Sequence, residues 1–168
     1  MDRTAHTAAV LTVSDGVTAG TREDLSGAAI YDLLQANGYT VTARQAVADV
    51  APDISRAITD LAMNAGLILT TGGTGFGPRD VTPEATRAVI DREAQGLVLL
   101  MLHKAIGDNP MAALSRGIAG TCGNALVINL PGSPRGAVEN LSALLPILPH
   151  ALTLLAGDTE HRPSPPNT

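Results

Sequence analysis

Apolar runs alternate with amphipathic stretches along this chain, and that alternation marks out its elements. Ala8-Ala9-Val10-Leu11-Thr12-Val13-Ser14 is almost continuously apolar, as expected of a strand covered on both faces. Asp15 to Leu25 reads as a polar loop. Ser26 can cap a helix running to about Asn37, with Ile30, Leu33 and Leu34 at helical spacing and Gly38 as the stop. Tyr39 to Val47 alternates and predicts a second strand. A helix from about Pro52 to Asn64 carries Ile54, Ile58 and Leu61 on one face; Gly66 breaks it, and Leu67 to Thr71 follows as the third strand. After a glycine-rich loop, Thr82 reads as an N-cap and Pro83 as the first position of a helix reaching about Ile90.

The stretch from Asp91 to Arg116 reads as helical around Leu97 to Ile106 and breaks at Gly107-Asp108-Asn109-Pro110. A short helix over Met111 to Ser115 follows. Ile118 to Cys122 and Ala125 to Asn129 are predicted as two strands joined near Gly123-Asn124. Pro131 to Gly136 is a second punctuated loop, followed by a helix from about Ala137 to Leu145 and an apolar helical segment to about Ala156. Gly157 to Thr168 is polar and proline-rich, which predicts a disordered tail behind one domain over residues 1–156.

Strands alternating with helices predict an α/β fold with a mostly parallel sheet. In open sheets of that kind, ligands sit outside the carboxyl ends of the strands. Ser14-Asp15-Gly16, Thr71 to Asp80 and Asn129 to Gly136 all leave predicted strand ends, so one cleft is expected to gather them.

Composition narrows the partners. Hydrophobic residues make up 45% of the 168 positions but aromatics only 2%, namely Tyr31, Tyr39 and Phe76. Leu, Ile, Val and Ala must pack the core, and no aromatic platform for single-stranded nucleic acid is present. A net charge of -5 without a basic cluster argues against a DNA or RNA partner. The lone Cys122 forms no internal disulfide and fits a reducing cytoplasm, the expected location. The first residues lack the shape of a signal peptide, and no apolar run approaches the roughly 20 residues of a membrane span.

The candidate chemistry centres on Thr70-Thr71-Gly72-Gly73-Thr74-Gly75-Phe76-Gly77-Pro78-Arg79-Asp80-Val81-Thr82-Pro83-Glu84-Ala85. Strand, glycine loop and helix N-terminus, in that order, suit a phosphate: backbone N–H groups converge on the anion and the helix dipole favours it. Thr71, Gly72, Gly73, Thr74, Gly75 and Arg79 form the candidate nucleotide-binding set, with Arg79 adding a fixed positive fork. Asp80 is a candidate ligand for magnesium. No Gly-Lys-Ser/Thr follows the strand, and Pro78 stands where a dinucleotide fingerprint needs glycine. The alternative is that the glycines only permit a tight turn. No His or Cys cluster has zinc spacing. His103 reads as structural, Cys122 as a small buried residue, and Asp91 with Glu93 as a solvated helix end.

Thr70 to Gly75 followed by Pro78 to Ala85 resembles the signature of the molybdopterin adenylyltransferase family of molybdenum cofactor synthesis. Leu11-Thr12-Val13-Ser14-Asp15, Leu114-Ser115-Arg116 and Ile128-Asn129-Leu130-Pro131-Gly132-Ser133-Pro134 agree with it in order, so the resemblance covers about Ala8 to Leu155. It implies a three-layer α/β/α domain of the molybdopterin-binding type, usually a homotrimer. It also implies a magnesium-dependent reaction joining the terminal phosphate of molybdopterin to the AMP part of ATP, with release of pyrophosphate. Such a transfer needs no enzyme nucleophile; the protein aligns two phosphates and offsets their repulsion.

Residue by residue, the resemblance makes Asp49 and Asp80 the catalytic and magnesium-holding acids. A helix cap is the alternative for Asp80, and a loop acid or cap for Asp49. Ser14 and Asp15 are implied to contact substrate, with loop hydrogen bonding the alternative for Asp15. The family's residue after that aspartate is commonly arginine; Gly16 stands here. Ser115 and Arg116 are implied to face the pterin or its phosphate, and Pro131, Gly132 and Ser133 to wrap the pterin end. A helix end and a rigid turn are the respective alternatives. ATP is then expected on the glycine-loop side, with molybdopterin nearer Ser115 and Pro131. Ala94 to Met101 departs from the family pattern, because Leu99 falls near an expected glutamate; an apolar residue there is expected in the core or at a subunit interface. Contact with a downstream molybdenum-inserting protein is also implied. Two other classes stay open: a non-catalytic molybdopterin-binding module of the same pathway and fold, and the related domain of nicotinamide-nucleotide amidase proteins. A second catalytic domain, expected with the latter, does not fit in 168 residues, which counts against that reading.

Overall fold

The apolar runs become the strands of one six-stranded sheet in a computed structural model that describes residues 6–157. The strands are β1 (Thr7–Val13), β2 (Thr40–Val47), β3 (Leu67–Thr71), β4 (Arg92–Glu93), β5 (Ala119–Cys122) and β6 (Ala125–Leu130), in spatial order β2-β1-β3-β6-β5-β4. β1 pairs parallel with β2 and β3, and β3 parallel with β6. The hairpin of β6 and β5 is antiparallel, and β4 adds to it antiparallel. The tail predicted from Gly157 onward lies, beyond that glycine, outside the described residues.

Helices cover both faces, as the continuous apolar strands require. The helices are α1 (Asp15–Thr18), α2 (Leu25–Ala36), α3 (Ala51–Ala62), α4 (Thr82–Arg87), α5 (Gln95–Ile106), α6 (Pro134–Leu144) and α7 (Leu148–Leu155), with a 3-10 turn over Pro110–Leu114. On one face Ile30, Leu34, Met101, Leu141, Leu144 and Leu148 pack against Val10, Leu67, Leu69 and Ile128. On the other, Ile54, Ile58, Leu61 and Ala85 pack against Ala9, Leu11, Ile68 and Val127. Neighbouring residues of β1, β3 and β6 thus enter different cores, as the period of two demands. Among the described residues, no single helix is long and apolar enough to cross a membrane.

Several boundaries differ from the sequence pattern for local reasons. α2 is capped by Asp24 rather than Ser26, because the Asp24 carboxylate accepts the Gly27 N–H at 2.9 Å. The loop after β1 holds the helical turn α1, whose cap is Ser14, accepting the Val17 N–H at 3.3 Å. Thr82 lies inside α4 rather than capping it: its N–H and hydroxyl are drawn back to the carbonyls of Gly73 (3.0 Å) and Gly72 (2.9 Å). Asp91 and Glu93 do not end a helix. Asp91 accepts the Gly123 N–H at 2.7 Å, and Glu93, on β4, pairs with Arg87 at 3.0 Å. Leu99 is not in the core; α5 leaves it 63% exposed while Met101 is buried. His103 is exposed, and Cys122 is half-buried, with burial and then the nearby Asp91 pushing its thiol pKa up.

Candidate functional site

Parallel strands end on the same side of a sheet, so the loops after β1, β2, β3 and β6 meet. Register brings them level: Thr12 pairs with Thr71, Thr71 with Leu130, and Val13 with Val47. The buried Thr71 hydroxyl ties two of these loops by donating to the Pro131 carbonyl at 2.7 Å. One strand layer below, Asn129 donates to the hydroxyls of Thr70 and Thr86, each at 2.9 Å, and accepts the Ile118 N–H at 3.1 Å. A fully hydrogen-bonded buried group of this kind fixes the floor of the site.

The glycine loop needs its first two glycines for both packing and backbone conformation. Gly72 and Gly73 have φ of 98° and 64°. A Cβ would stand 2.3 Å from the Val13 carbonyl oxygen at Gly72, and 2.4 Å from the Thr82 hydroxyl at Gly73. The tight turn itself therefore requires both glycines. Gly72 donates to Leu130 at 3.4 Å and Gly77 to the Asp80 carboxylate at 2.8 Å. Between them the N–H groups of Gly73, Thr74 and Gly75 have no partner among the described residues.

Arg116 holds the loop from outside. Its backbone N–H donates to Thr74 O at 2.8 Å, and its guanidinium to Gly75 O and Asp80 O, each at 2.7 Å. The same guanidinium pairs with Glu84 and lies 5.8 Å from the centre of the Phe76 ring. The Arg116 hydrogen bond keeps the Glu84 carboxyl below its usual range. Ser115 follows the 3-10 turn as its C-cap, so Arg116 ends no α-helix.

The acids form a second lattice. Asp15 and Asp49 exchange bonds, each backbone N–H donating to the other's carboxylate, at 2.8 and 3.0 Å. Arg79 grips Asp15 through Nε and Nη2, at 2.8 to 3.1 Å. The bond from the Asp49 backbone, then the one from Arg79, lowers the Asp15 pKa. Asp49 and Asp80 each accept a backbone N–H on Oδ2, leaving Oδ1 without a hydrogen bond among the described residues.

Two cavities flank the loop. One, of about 410 Å3, is lined by Ser14, Asp49, Thr71, Gly72, Gly73, Asp80 and Gly132. The other, of about 280 Å3 and more apolar, brings Thr74, Gly75, Ser115, Pro131 and Ser133 against Met101 and Met111. Asp15, Arg79 and Arg116 line neither and instead brace the loops. Thr12, Arg22, Glu23, Asp24 and Ser26 line the first cavity and were missed from sequence. Asp24 accepts from Thr12 at 2.9 Å and pairs with Arg44 at 2.9 Å; its spacing before Gly27 was a capping signal that could have found it.

Among the described residues, no group of three or more His, Cys, Asp or Glu is placed to hold a metal ion. Two free carboxylate oxygens on one cavity do fit magnesium, which binds through one or two carboxylates together with substrate phosphates.

Fold and site define an open-sheet α/β domain with a glycine loop between two cavities at the carboxyl ends of its strands. The chain belongs to the molybdopterin-binding family: the family model described as "Probable molybdopterin binding domain" matches residues 9–150. It is 38% identical over 155 residues to the molybdenum cofactor synthesis protein cinnamon of Drosophila melanogaster, covering 89% of this chain but 25% of that protein. The chain therefore spans about a quarter of that relative's length. A molybdopterin adenylyltransferase of Helicobacter pylori is 37% identical, with 89% of this chain and 87% of that protein covered. The crystal structure of the molybdopterin biosynthesis enzyme MoaB of Thermus thermophilus superposes with a TM-score of 0.85 at 48% identity, covering 90% of this chain and 97% of that one.

Proposed function

We propose that this protein acts in molybdenum cofactor biosynthesis as a molybdopterin adenylyltransferase, transferring AMP from ATP to the terminal phosphate of molybdopterin and releasing pyrophosphate. One observation carries this reading. A single glycine loop separates an acid-lined cavity holding Asp49 and Asp80 from a more apolar cavity at Ser115 and Pro131. A polyphosphate with its metal suits the first, and a pterin the second.

In the reaction, a molybdopterin phosphate oxygen attacks the α-phosphorus of ATP, and the bond from that phosphorus to the β-phosphate bridging oxygen breaks. The free N–H groups of Gly73, Thr74 and Gly75 offer hydrogen bonds to phosphate oxygens without rearrangement. Asp49 and Asp80 would hold magnesium through their free oxygens, and the ion would neutralise charge on the triphosphate and on departing pyrophosphate. Arg79 and Arg116 keep the loops in place, which is a positioning role. Residues 1–156 then act as one unit, as a cytoplasmic homotrimer that passes its product to a molybdenum-inserting protein.

The test is pyrophosphate release by the purified protein with ATP and magnesium, with and without molybdopterin. Release that requires molybdopterin is expected. Molybdopterin binding without release would favour the non-catalytic module instead.

A further inference from the structure

We propose that Arg22 is the cation that meets the polyphosphate of the ligand in the acid-lined cavity, a role the sequence pattern assigned to Arg79. The identity of the ligand as ATP rests on the function proposed above; the need for a cation does not. Asp49, Asp80, Glu23 and Asp24 all line this cavity, so an anion entering it meets carboxylates on several sides. Like charges at such range repel, and an arginine on the same wall offsets that repulsion.

The other arginines around the loops are already engaged. Arg79 is held by Asp15 at 2.8 Å, Arg44 by Asp24 at 2.9 Å, and Arg116 by Glu84 and two loop carbonyls. Arg22 lines the cavity, and among the described residues its side chain makes neither an ion pair nor a hydrogen bond. Its fork is free to take two phosphate oxygens at once.

Arg22 packs closely against Gly16. A Cβ built at Gly16 would stand 3.3 Å from Arg22 Cβ and 3.7 Å from Arg22 Nε, so the arginine stem folds over the glycine. The backbone fixes the approach: the N–H groups of Thr21 and Arg22 both donate to the Gly16 carbonyl, at 2.9 and 3.0 Å, after a turn at Gly20 with φ of 72°. The loop thus carries Arg22 to the cavity in a set position.

Calorimetric titration of the full chain with magnesium-ATP and, separately, with tripolyphosphate tests this. Arg22→Ala is expected to weaken both ligands about tenfold or more, the effect of losing a charge-assisted phosphate contact. Its urea midpoint should match wild type, because Arg22 is exposed and unpaired. Arg22→Lys should recover part of the affinity, since charge returns without the fork. Wild-type affinity of Arg22→Ala for both ligands would overturn the proposal, as would a loss confined to ATP, which would move the contact from phosphate to nucleoside. Arg22-dependent binding of tripolyphosphate with no binding of ATP would uphold Arg22 and overturn the adenylyltransferase reading. A wild-type protein that binds neither would overturn both.

Discussion

Asp49 and Asp80 each divide their two carboxylate oxygens between the loop and the cavity. One oxygen accepts a backbone N–H, and the other is free for ligand. An asparagine keeps an acceptor for the loop but loses the charge. Asp80→Asn and Asp49→Asn are therefore expected to lower kcat on the order of 100-fold or more, the scale of losing one preorganised electrostatic contact. Their urea midpoints should shift little; a variant at full turnover would remove its acid from the site. Asp15 behaves differently because it braces the loops. Its carboxyl titrates below the ordinary 3.8, chiefly through the Asp49 backbone N–H and then Arg79. A lowered folded pKa means the contribution is complete above about pH 4 and is lost as pH falls through the folded value. Asp15→Asn should accordingly flatten the acid limb of stability followed by circular dichroism, and an unchanged limb would contradict the bracing role. That Asp80 lines the cavity was legible because it sits in the glycine-loop motif, whereas Asp49 was picked out only by the family resemblance. The engagement of Arg79 and Arg116 was not legible, since their acid partners lie 64 and 32 residues away along the chain.

At the scale of elements, the strand-to-helix turn from β3 to α4 is the most constrained segment. Gly73 combines a positive φ with a Cβ position 2.4 Å from the Thr82 hydroxyl, so Gly73→Ala should destabilise the fold by about 1–3 kcal/mol or more in urea unfolding. Asn129→Ala should act through the floor, leaving the Ile118 N–H without its 3.1 Å acceptor on that side chain, at about 1–3 kcal/mol. Substitution without loss at either position would contradict these roles. The long elements were legible: β1, β3 and the apolar faces of α2 and α3 follow directly from periodicity. β4 was not, because Arg92–Glu93 is two polar residues with no period, made a strand only by pairing with β5. Leu99 misled for a related reason. Its helix is apolar nearly all round, so periodicity could not tell its buried face from its 63% exposed one.

For the whole molecule, topology does most of the functional work. Parallel pairing of β1, β3 and β6 brings three loops to one edge, and the glycine loop divides the space there in two. That convergence followed from the strand-helix alternation alone. The partition into an acid-lined and a more apolar cavity did not, since it depends on how α5 and the 3-10 turn close over Thr74 and Gly75. Leu99, Ile106, Met111 and Leu114 remain exposed around that closure, consistent with burial against further copies of the chain. Sedimentation equilibrium is expected to give three times the 17.2 kDa of one chain, and a monomeric mass at working concentration would exclude the trimer. The decisive measurement follows the label of α-phosphate-labelled ATP in the presence of molybdopterin and magnesium. Label recovered on the pterin as its AMP adduct, with one pyrophosphate released per adduct, is the expected result. Molybdopterin held by the protein while all label stays in ATP would contradict the proposed transfer.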